Sequence, residues 1–388
     1  MSFDWIAAEF AAWEASGLRR HRRVVRPLPQ GMIEVDGVPL LNLAANDYLG
    51  LAEDRRLAAA AQQAIQEAGV GSRASALVSG RTVWHETLEK RLARFEHAKE
   101  ALLFPTGYAA NTGTIAALAG RDDSVFCDRL NHASLIDGCR LSGARFHVIP
   151  HLDLATLEQE LAKACDRRRR LIVTDSVFSM DGDVADLPRL VELADQFDAM
   201  LLVDEAHATG VLGPTGRGLA EHCGVESDRL IGVGTLSKAL GCQGGFVTGP
   251  EQLVDWLWNK ARPQVFSTAF PPAIAAAACA ALDIIQQEPW RRERLSTLSE
   301  LLRVRLAEGG FRVPPTLVAT PIIPVILGDE RATIDAAARL EAAGFLVAAI
   351  RPPTVPAGSS RLRISLHCNV TDEQVERLVE ALELVARG

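Results

Sequence analysis

The sequence predicts an α/β protein, with a large domain built on a mostly parallel sheet and a smaller α+β domain at its carboxyl-terminal end. Two patterns in the 388 residues lead to this prediction. Short, nearly continuous apolar runs alternate with segments of helical periodicity, as in parallel strands that are covered on both faces. After the last of these runs, the alternation changes to a second, smaller group of strands and helices.

The large domain accounts for most of the predicted elements. A helix is predicted first, from Trp5 to Leu18, and a basic turn and a short extended segment follow it. Seven strands come next, with helices in several gaps, as at Ala155–Cys165 and Leu187–Phe197. The predicted strands are Ala101–Phe104, Ser124–Cys127, Phe146–Ile149, Leu171–Val173, Met200–Val203, Leu230–Val233 and Gly245–Thr248.

The carboxyl-terminal part has its own pattern. An alanine-rich helix and a charged helix precede three strands, and a last helix ends the chain. These elements are Ala273–Ile285, Arg291–Glu308, Pro321–Leu327, Phe345–Ile350, Leu362–Leu366 and Asp372–Val385. We therefore predict an N-terminal helix and arm over residues 1–45, a large α/β domain over residues 46–285 and a small α+β domain over residues 286–388.

Composition excludes several classes of protein. The hydrophobic fraction of 48% and the charged fraction of 23% are ordinary for a soluble globular protein. No stretch approaches the roughly 20 apolar residues of a membrane helix, and the first residues lack the pattern of a secretory signal. The net charge of -8 gives no general attraction to nucleic acid or to acidic membranes.

The seven cysteines are scattered, with no Cys-x-x-Cys pair. This argues against a disulfide framework and against a zinc site, and it fits a reduced, cytoplasmic setting.

One lysine, Lys238, stands where it could hold a carbonyl cofactor. It follows the apolar run Leu230–Val233 and precedes small residues that let the backbone approach a ligand. A desolvated lysine amine can form a Schiff base with an aldehyde. An isolated lysine after a strand is more often a solvated surface residue, so the prediction depends on the residues that converge on it.

Ligands bind beyond the carboxyl ends of the strands in open parallel sheets. At one such end, Gly107 leads from a strand into an apolar helix, whose N-terminal N–H groups suit a phosphate. A plain strand–helix turn is the alternative. At another end, Asp204 and His207 could form a metal pair, an acid–base pair or a clamp on a heteroaromatic ring.

The clamp is the reading that the neighbouring residues favour. Ala206 and Ala208 flank His207, and no local Cys or His group completes a metal-ligand set. A buried aspartate such as Asp204 can keep a pyridine nitrogen protonated. A lysine for an aldehyde, an aspartate for a ring nitrogen, and a helix N-terminus with Thr235 for a phosphate together fit pyridoxal 5′-phosphate.

Motifs along nearly the whole chain then point to one family. They are Asn46–Leu51, Phe104–Asn111, Asn131–Ser134, Val177–Asp183, Asp204–Gly210, Thr235–Gly241, Ser267–Thr268 and Ile350–Gly358. With these motifs the chain resembles the α-oxoamine synthase family of fold-type I pyridoxal-phosphate enzymes. The resemblance implies the fold of such transferases, with a seven-stranded, mostly parallel sheet, and a homodimer with its sites at the interface.

The resemblance also implies residue roles. Lys238 would be the Schiff-base lysine and move the substrate's Cα proton, Asp204 would pair with the pyridinium nitrogen, and His132 would stack on the ring. The other cofactor contacts would be Gly107, Tyr108, Ser179, His207 and Thr235, with Thr268 reaching the phosphate of the neighbouring subunit. The substrate would meet Arg19, Asn46, His132, Arg351, Thr354 and Arg363, of which Arg363 would bind the amino-acid carboxylate.

Single residues have structural alternatives. His132 could simply cap a helix, and Arg363 could be an ordinary surface arginine. The run Ile350–Gly358 is the form typical of members that condense L-alanine with a pimeloyl thioester, carried on CoA or on acyl carrier protein, in biotin biosynthesis. Ser75 stands where aminolevulinate synthases have threonine, which fits the methyl group of alanine.

Other activities stay open at this stage. Relatives use glycine with acetyl-CoA or succinyl-CoA, or serine with a long-chain acyl thioester; aminotransferases use the same lysine and aspartate. An inactive accessory subunit would have lost its lysine, which is present here. The loop Arg73–Ala76 departs from the family pattern, since many relatives have glycines near Arg73 and Ala74 and an arginine in place of Ala76.

Overall fold

The structure, a computed structural model, describes residues 3–387. The strands in chain order are Val25–Pro27 (β1), Met32–Val35 (β2), Val38–Asn42 (β3), Glu100–Phe104 (β4), Ser124–Asp128 (β5), Arg145–Ile149 (β6), Arg170–Asp175 (β7), Met200–Asp204 (β8), Leu230–Thr235 (β9), Gly245–Gly249 (β10), Ile322–Gly328 (β11), Phe345–Leu346 (β12), Ala348–Ile350 (β13) and Ser360–Ser365 (β14). Residues 1, 2 and 388, the outer ends of two predicted domains, lie outside the described residues.

The helices are of very different lengths. They are Asp4–Ala15 (α1), Arg55–Ala68 (α2), Val83–Phe95 (α3), Gly107–Leu118 (α4), Ala133–Ser142 (α5), Leu154–Lys163 (α6), Leu187–Gln196 (α7), Leu219–His222 (α8), Glu251–Lys260 (α9), Arg262–Phe266 (α10), Pro272–Gln287 (α11), Trp290–Glu308 (α12), Glu330–Ala342 (α13) and Asp372–Arg387 (α14), with a π-helical turn at Ala76–Gly80. In the described part of the chain, no helix combines the length and the apolar character that crossing a membrane requires.

The described residues divide into two compact units. The large unit comprises Asp47–Ser179 and Asp183–Glu293. The small unit comprises the chain up to Asn46, the three residues Met180–Gly182, and the chain from Arg294 onward. The division of the chain into an arm and two domains stays a prediction.

The large unit contains the predicted sheet, with all seven predicted strands. The strand order is β4-β10-β9-β8-β7-β5-β6. Strand β10 runs antiparallel to both of its neighbours, and the remaining neighbouring pairs are parallel. The carboxyl ends of β4, β5, β7, β8 and β9 therefore meet at one edge of the sheet.

Both faces of this sheet are buried, which explains why its strands are apolar without alternation. Along β7, Leu171 and Val173 join a core cluster that contains Ile115 of α4 and Leu257 of α9. Ile172, which lies between them and faces the other way, is only 2% exposed.

The small unit contains two sheets, and here the sequence prediction was wrong in one element. Phe345–Ile350 was predicted as one strand, but the chain changes sheets at Val347. Strand β12 pairs with β3, in the order β1-β2-β3-β12, whereas β13 pairs with β14, in the order β11-β14-β13. The buried side chain of Val347 marks this crossing.

The short extended segment predicted after the first helix is in fact three paired strands. Strands β2 and β3 form a hairpin in which Val35 pairs with Val38 across Asp36–Gly37. An Asp-Gly pair between two extended runs is a strong hairpin signal, and this signal could have predicted the turn.

The turn that carries Lys238 after β9 depends on Gly241, which has a φ of +65°. A Cβ at Gly241 would lie 2.4 Å from the nitrogen of Ala52. We expect Gly241→Ala to lower the free energy of unfolding by about 2–5 kcal/mol, since left-handed backbone costs about 1–2 kcal/mol and overpacking about 1–3 kcal/mol. Urea denaturation measures this loss.

The matched control is Gly143→Ala. Gly143 has a similar φ of +70°, but nothing lies within 4 Å of its Cβ position. Only the conformational part of the loss, about 1–2 kcal/mol, is expected there. Equal losses in the two variants would contradict the close approach at Gly241.

Candidate active site

The predicted cofactor residues of the large unit lie at the sheet edge where the parallel strands end. Strands β7 and β8 are neighbours and end side by side at Asp175 and Asp204. Strand β9 follows β8 in the sheet, and Lys238 comes three residues after its last residue, Thr235. The structure therefore brings Asp204 and the Lys238 turn to the ends of adjacent strands.

Asp204 is held by a hydrogen-bond network that reaches His132. The Asp204 carboxylate accepts from Asn111 Nδ2 at 2.6 Å and from the Ala206 N–H at 2.8 Å. Asn111 Nδ2 also donates to Ser134 Oγ at 2.9 Å, and this hydroxyl lies 2.7 Å from His132 Nδ1. Because Asp204 is only 5% exposed, these donors stabilise its charge where water cannot.

His132 caps the start of α5, and its own N–H donates to Asp175 Oδ2 at 2.6 Å. Burial lowers the pKa of the His132 imidazole; the charge of Asp204 opposes this effect and the charge of Lys238 adds to it. His132 is thus both the helix cap of the structural alternative and a neighbour of the two charged residues of the site.

Asp175 is a fully buried second acid beside Asp204. Burial raises the pKa of Asp175 well above its ordinary value, and the charge of Asp204 raises it further. Two adjacent carboxyl groups in a dry site do not both ionise readily. The raised pKa therefore favours the neutral form of Asp175.

The start of α4 has the form of a phosphate site. Thr106 caps the helix by accepting from the Ala109 N–H, which leaves the N–H groups of Gly107 and Tyr108 without a partner in the described part of the chain. A Cβ at Gly107 would lie 3.3 Å from Thr235 Oγ1, so the two residues predicted to hold the phosphate are in close approach. Free N–H groups and the helix dipole favour an anion here.

Two further predicted cofactor residues are buried. The ring of His207 is fixed by Tyr48, whose hydroxyl lies 2.6 Å from His207 Nδ1. Ser179 follows Phe178 in the segment after β7. Tyr48, Asn111 and Asp175 were missed as site residues, although all three lie at or beside the quoted motifs.

Tyr108 and Thr268 are exposed. Tyr108 is 47% exposed, and its hydroxyl donates to Asp137 Oδ2, which raises the pKa of the phenol. Thr268 forms an isolated bridge with Ser75 of the loop that departs from the family pattern. In that loop, Arg73 has a φ of +66° where many relatives have glycine.

The predicted substrate residues Arg19, Asn46, Arg351, Thr354 and Arg363 lie in the small unit. Arg363 on β14 is 6% exposed, donates to Asn46 Oδ1 at 3.1 Å, and leaves its Nε buried without a partner. No carboxylate among residues 3–387 lies within ion-pair distance of Arg363. A buried guanidinium with open donors suits the carboxylate of an amino acid.

The remaining three substrate residues form one group. Arg351 donates to the backbone oxygen of Arg19 at 3.2 Å, and the Thr354 N–H donates to the Arg351 oxygen at 3.1 Å. Burial lowers the pKa of Arg351, and the nearby charge of Arg20 lowers it further. Arg19 itself pairs with Glu14 at 3.1 Å.

The residues of the large unit fit pyridoxal phosphate. A ring nitrogen would find the buried Asp204 carboxylate, a phosphate would find the open N–H groups at Gly107 and Tyr108, and an aldehyde would find Lys238. Among residues 3–387, no group of His, Cys, Asp or Glu is arranged to hold a metal ion.

Comparison with known proteins agrees with this site. The family profile described as "Aminotransferase class I and II" matches residues 38–382, and the chain belongs to this family. The 8-amino-7-oxononanoate synthase of Anaeromyxobacter dehalogenans (strain 2CP-1) is 49% identical over 99% of this chain and 96% of that protein. The enzyme of the same name from Aromatoleum aromaticum is 49% identical over 98% of each chain.

Solved structures share the fold over nearly the whole chain. A serine palmitoyltransferase variant from S. paucimobilis, with a bound PLP–myriocin aldimine, has a TM-score of 0.94 at 31% identity and covers 99% of this chain and 97% of its own. The 8-amino-7-oxononanoate synthase of Francisella tularensis has a TM-score of 0.79 at 28% identity, over 90% of this chain and 98% of that one. The predicted fold class and the resemblance are confirmed.

The amide of Asn111 is the main side-chain donor to Asp204, so its removal tests the network. We expect Asn111→Leu to lower the free energy of unfolding of the cofactor-free protein by about 1–3 kcal/mol, because a buried carboxylate oxygen loses its donor. Urea denaturation of the cofactor-free protein measures this.

Thr114→Val on the same helix is the control. Thr114 is fully buried, and its hydroxyl has no hydrogen-bond partner, so its removal should be neutral or stabilising. A loss at Thr114 as large as that at Asn111 would show that the Asn111 effect reflects packing alone.

Proposed function

We propose that this chain is a pyridoxal-phosphate-dependent acyltransferase that condenses L-alanine with a pimeloyl thioester. The products are 8-amino-7-oxononanoate, CO2 and the free thiol of CoA or acyl carrier protein, in biotin biosynthesis. The observation that carries the proposal is the buried Asp204 at the end of β8, with Lys238 following the adjacent strand β9. His132 is joined to Asp204 through three hydrogen bonds, by way of Ser134 and Asn111. The 49% identity to 8-amino-7-oxononanoate synthases specifies the reaction.

In this proposal the large unit holds the cofactor. Asp204 would keep a proton on the ring nitrogen, and His132 would stack on the ring. Ser179 and His207 would contact the ring oxygen. The phosphate would be held by Gly107, Tyr108 and Thr235. Bound pyridoxal phosphate supplies an aldehyde for the amine of Lys238 and a protonated ring that withdraws electrons from the substrate's Cα.

The chain's own residues then move protons and orient the substrate. The Nζ of Lys238 removes the Cα proton of alanine and later returns one to the same carbon. Arg363 holds the carboxylate, which selects the Cα bond that breaks. His132, whose pKa is lowered by burial, is neutral near pH 7 and can donate a hydrogen bond to the thioester oxygen.

These roles account for every bond that forms or breaks in the reaction. A bond forms between Cα of alanine and the pimeloyl carbonyl carbon, the thiolate leaves and takes up a proton, and the carboxylate leaves as CO2. Arg19, Arg351 and Thr354 line the substrate side of the site in this proposal, with Asn46 supporting Arg363.

One observation favours a second activity, the condensation of serine with a long-chain acyl thioester. Serine palmitoyltransferase structures match this chain with TM-scores up to 0.94, against 0.79 for the Francisella synthase. Fold similarity does not choose a substrate, however, since one fold hosts many activities. Identity to the serine enzymes is about a third, clearly below the 49% shared with the alanine enzymes.

We also propose a homodimer in a cytoplasmic setting, with Thr268 contributing to the phosphate site of the neighbouring subunit. Thr268 is exposed. Phe266 at the end of α10 and Val78 in the π-helical turn, which flank the Ser75–Thr268 bridge, are 70% and 78% exposed. Exposed apolar side chains in bridged loops suit burial against a second copy. None of the seven cysteines forms a disulfide in the described part of the chain, which suits a reducing compartment.

The substrate assignment is tested by thiol release from the cofactor-loaded enzyme. L-alanine, glycine and L-serine are each combined with pimeloyl-, acetyl-, succinyl- and palmitoyl-CoA, and with pimeloyl-acyl carrier protein. We expect release with alanine and a pimeloyl donor at least about tenfold above every other pair, because one missing or added group in a pocket changes discrimination by that order. Release confined to serine with palmitoyl-CoA would transfer the assignment to the second activity.

The carboxylate site is tested by Arg363→Lys. A lysine keeps the charge but loses the two parallel donors, so we expect the KM for L-alanine to rise about tenfold or more. Steady-state kinetics with alanine as the varied substrate measure this.

Arg303→Lys is the control. The guanidinium of Arg303 on α12 is occupied by the backbone oxygens of Pro314 at 3.1 Å and Ile322 at 3.0 Å. This substitution should change stability and leave the KM for alanine within about twofold. An unchanged KM in Arg363→Lys would place the carboxylate site elsewhere.

A further inference from the structure

His151, in the turn after β6, is bound by a carboxylate at each of its ring nitrogens. Nδ1 lies 3.0 Å from Asp128 Oδ1 and 3.1 Å from Asp128 Oδ2, and Nε2 lies 2.8 Å from Asp183 Oδ2. A neutral imidazole donates from only one nitrogen, so two carboxylates require the doubly protonated ring. Burial alone would lower the pKa of His151, but the hydrogen bonds and charges of Asp128 and Asp183 outweigh it and raise the pKa to about 9.

The two carboxylates differ in how they are held. Asp128, at the end of β5, also accepts from the N–H groups of Leu130 and Leu152, both at 2.8 Å, so it is fixed without His151. Asp183 has one oxygen on His151, and its other oxygen, Oδ1, is buried without a partner. Among residues 3–387, His151 is the only side chain within ion-pair distance of Asp183.

Asp183 closes the segment that carries Ser179. The Phe178 N–H donates to the backbone oxygen of Asp183 at 2.9 Å, and Val177 forms a β-bridge with Val184. Ser179 therefore lies in a hairpin that these contacts close. The ring of His151 also meets the ring of Phe178 edge-on, with centroids 4.5 Å apart and planes at 86°. His151 thus contacts both the residue before Ser179 and the residue that closes its hairpin.

We propose that His151 is a positioning residue, whose protonated ring ties the Ser179 hairpin to the fixed carboxylate of Asp128. This inference rests on the proposed function, in which Ser179 contacts the cofactor's ring oxygen. Loss of the positive charge would leave the half-buried carboxylate of Asp183, whose Oδ1 already lacks a partner, without a counter-charge, and the hairpin would open to solvate it. Ser179 would then lose its fixed position.

The test is the affinity of the cofactor-free protein for pyridoxal phosphate, measured by absorbance titration, together with kcat and KM for alanine. For His151→Gln we expect the dissociation constant of pyridoxal phosphate to rise about tenfold, with a similar fall in kcat and a smaller change in KM. Both N–H groups of a glutamine lie on one nitrogen, so it cannot donate to carboxylates on two opposite sides as the His151 ring does, and it carries no charge to neutralise them.

A double variant tests whether the loss comes from the broken ion pair. In His151→Gln with Asp183→Asn, the unpaired charge at position 183 is gone and the two amides can bond to each other. We expect this double variant to recover at least about half of the loss, on a logarithmic scale. A double variant as poor as His151→Gln would overturn the proposal.

His147→Gln is the matched control. His147 on β6 is also paired with a carboxylate, Glu160 Oε2 at 3.0 Å, and stacks on Phe126, but it does not touch the hairpin. It should keep the wild-type affinity and kinetics. Equal losses in His147→Gln and His151→Gln would show a general structural effect and overturn the proposal.

The pH dependence gives a third readout. The charged groups that face the ring are Asp128 and Asp183, and the raised pKa means that the tie is complete below about pH 6.5 and is lost as pH rises through about 9. Wild-type affinity should therefore fall more steeply between pH 8 and pH 10 than that of His151→Gln; identical profiles would count against the tie. If His151→Gln does not fold, Asp183→Asn is titrated in its place. It removes the charge that faces Nε2, so its affinity should fall at lower pH than that of the wild type, and an unchanged profile would overturn the tie.

Failure of the proposed function would look different. In that case the wild-type protein itself would not bind pyridoxal phosphate or release thiol, whereas failure of the His151 inference leaves the wild type active and its variant unimpaired.

Discussion

The burial of one carboxylate, that of Asp204, is the constraint on which the site depends. A charge at the dry end of a strand is unfavourable unless donors surround it. Here the donors are the amide of Asn111 and the N–H of Ala206. Burial and the charge of Asp204 raise the pKa of Asp175 beside it, which favours a single negative charge at this edge of the sheet. A single negative charge at the ends of these strands suits a pyridinium nitrogen.

The small unit poses the opposite problem, a buried positive charge. Arg363 donates to the amide oxygen of Asn46, and its Nε is buried without a partner. Among residues 3–387, no carboxylate lies within ion-pair distance of it. Arg361, two residues earlier on the same strand, shows the contrast, because it is equally buried but bonds to Asp181. One strand thus holds a structural arginine whose charge is neutralised and a second one whose charge is open to a carboxylate from outside the chain.

Sequence reasoning was successful where chemistry is local and weaker where contacts are distant. The strands of the large sheet were predictable because both faces are buried, which makes each run apolar. Lys238, Asp204 and Thr235 were predictable because each follows such a run within a few residues. Asn111 and Asp204 are 93 positions apart, and His151 and Asp183 are 32 apart, so only the strand order brings them together. The change of sheet at Val347 has the same cause, since no local pattern shows which partner an apolar strand will choose.

The loop at Arg73, which departs from the family pattern, contains a residue with an unfavourable backbone conformation. The backbone of Arg73 has a φ of +66°, which costs an arginine about 1–2 kcal/mol. The side chain offsets part of this cost, because Arg73 donates to the carbonyl oxygen of Ala68 at 2.9 Å, at the end of α2 where helix carbonyls lack partners. Ser75, two residues further on, pairs with Thr268 in an isolated bridge, so the loop is fixed on both sides of Arg73 and its positive φ is held by contacts rather than by a glycine.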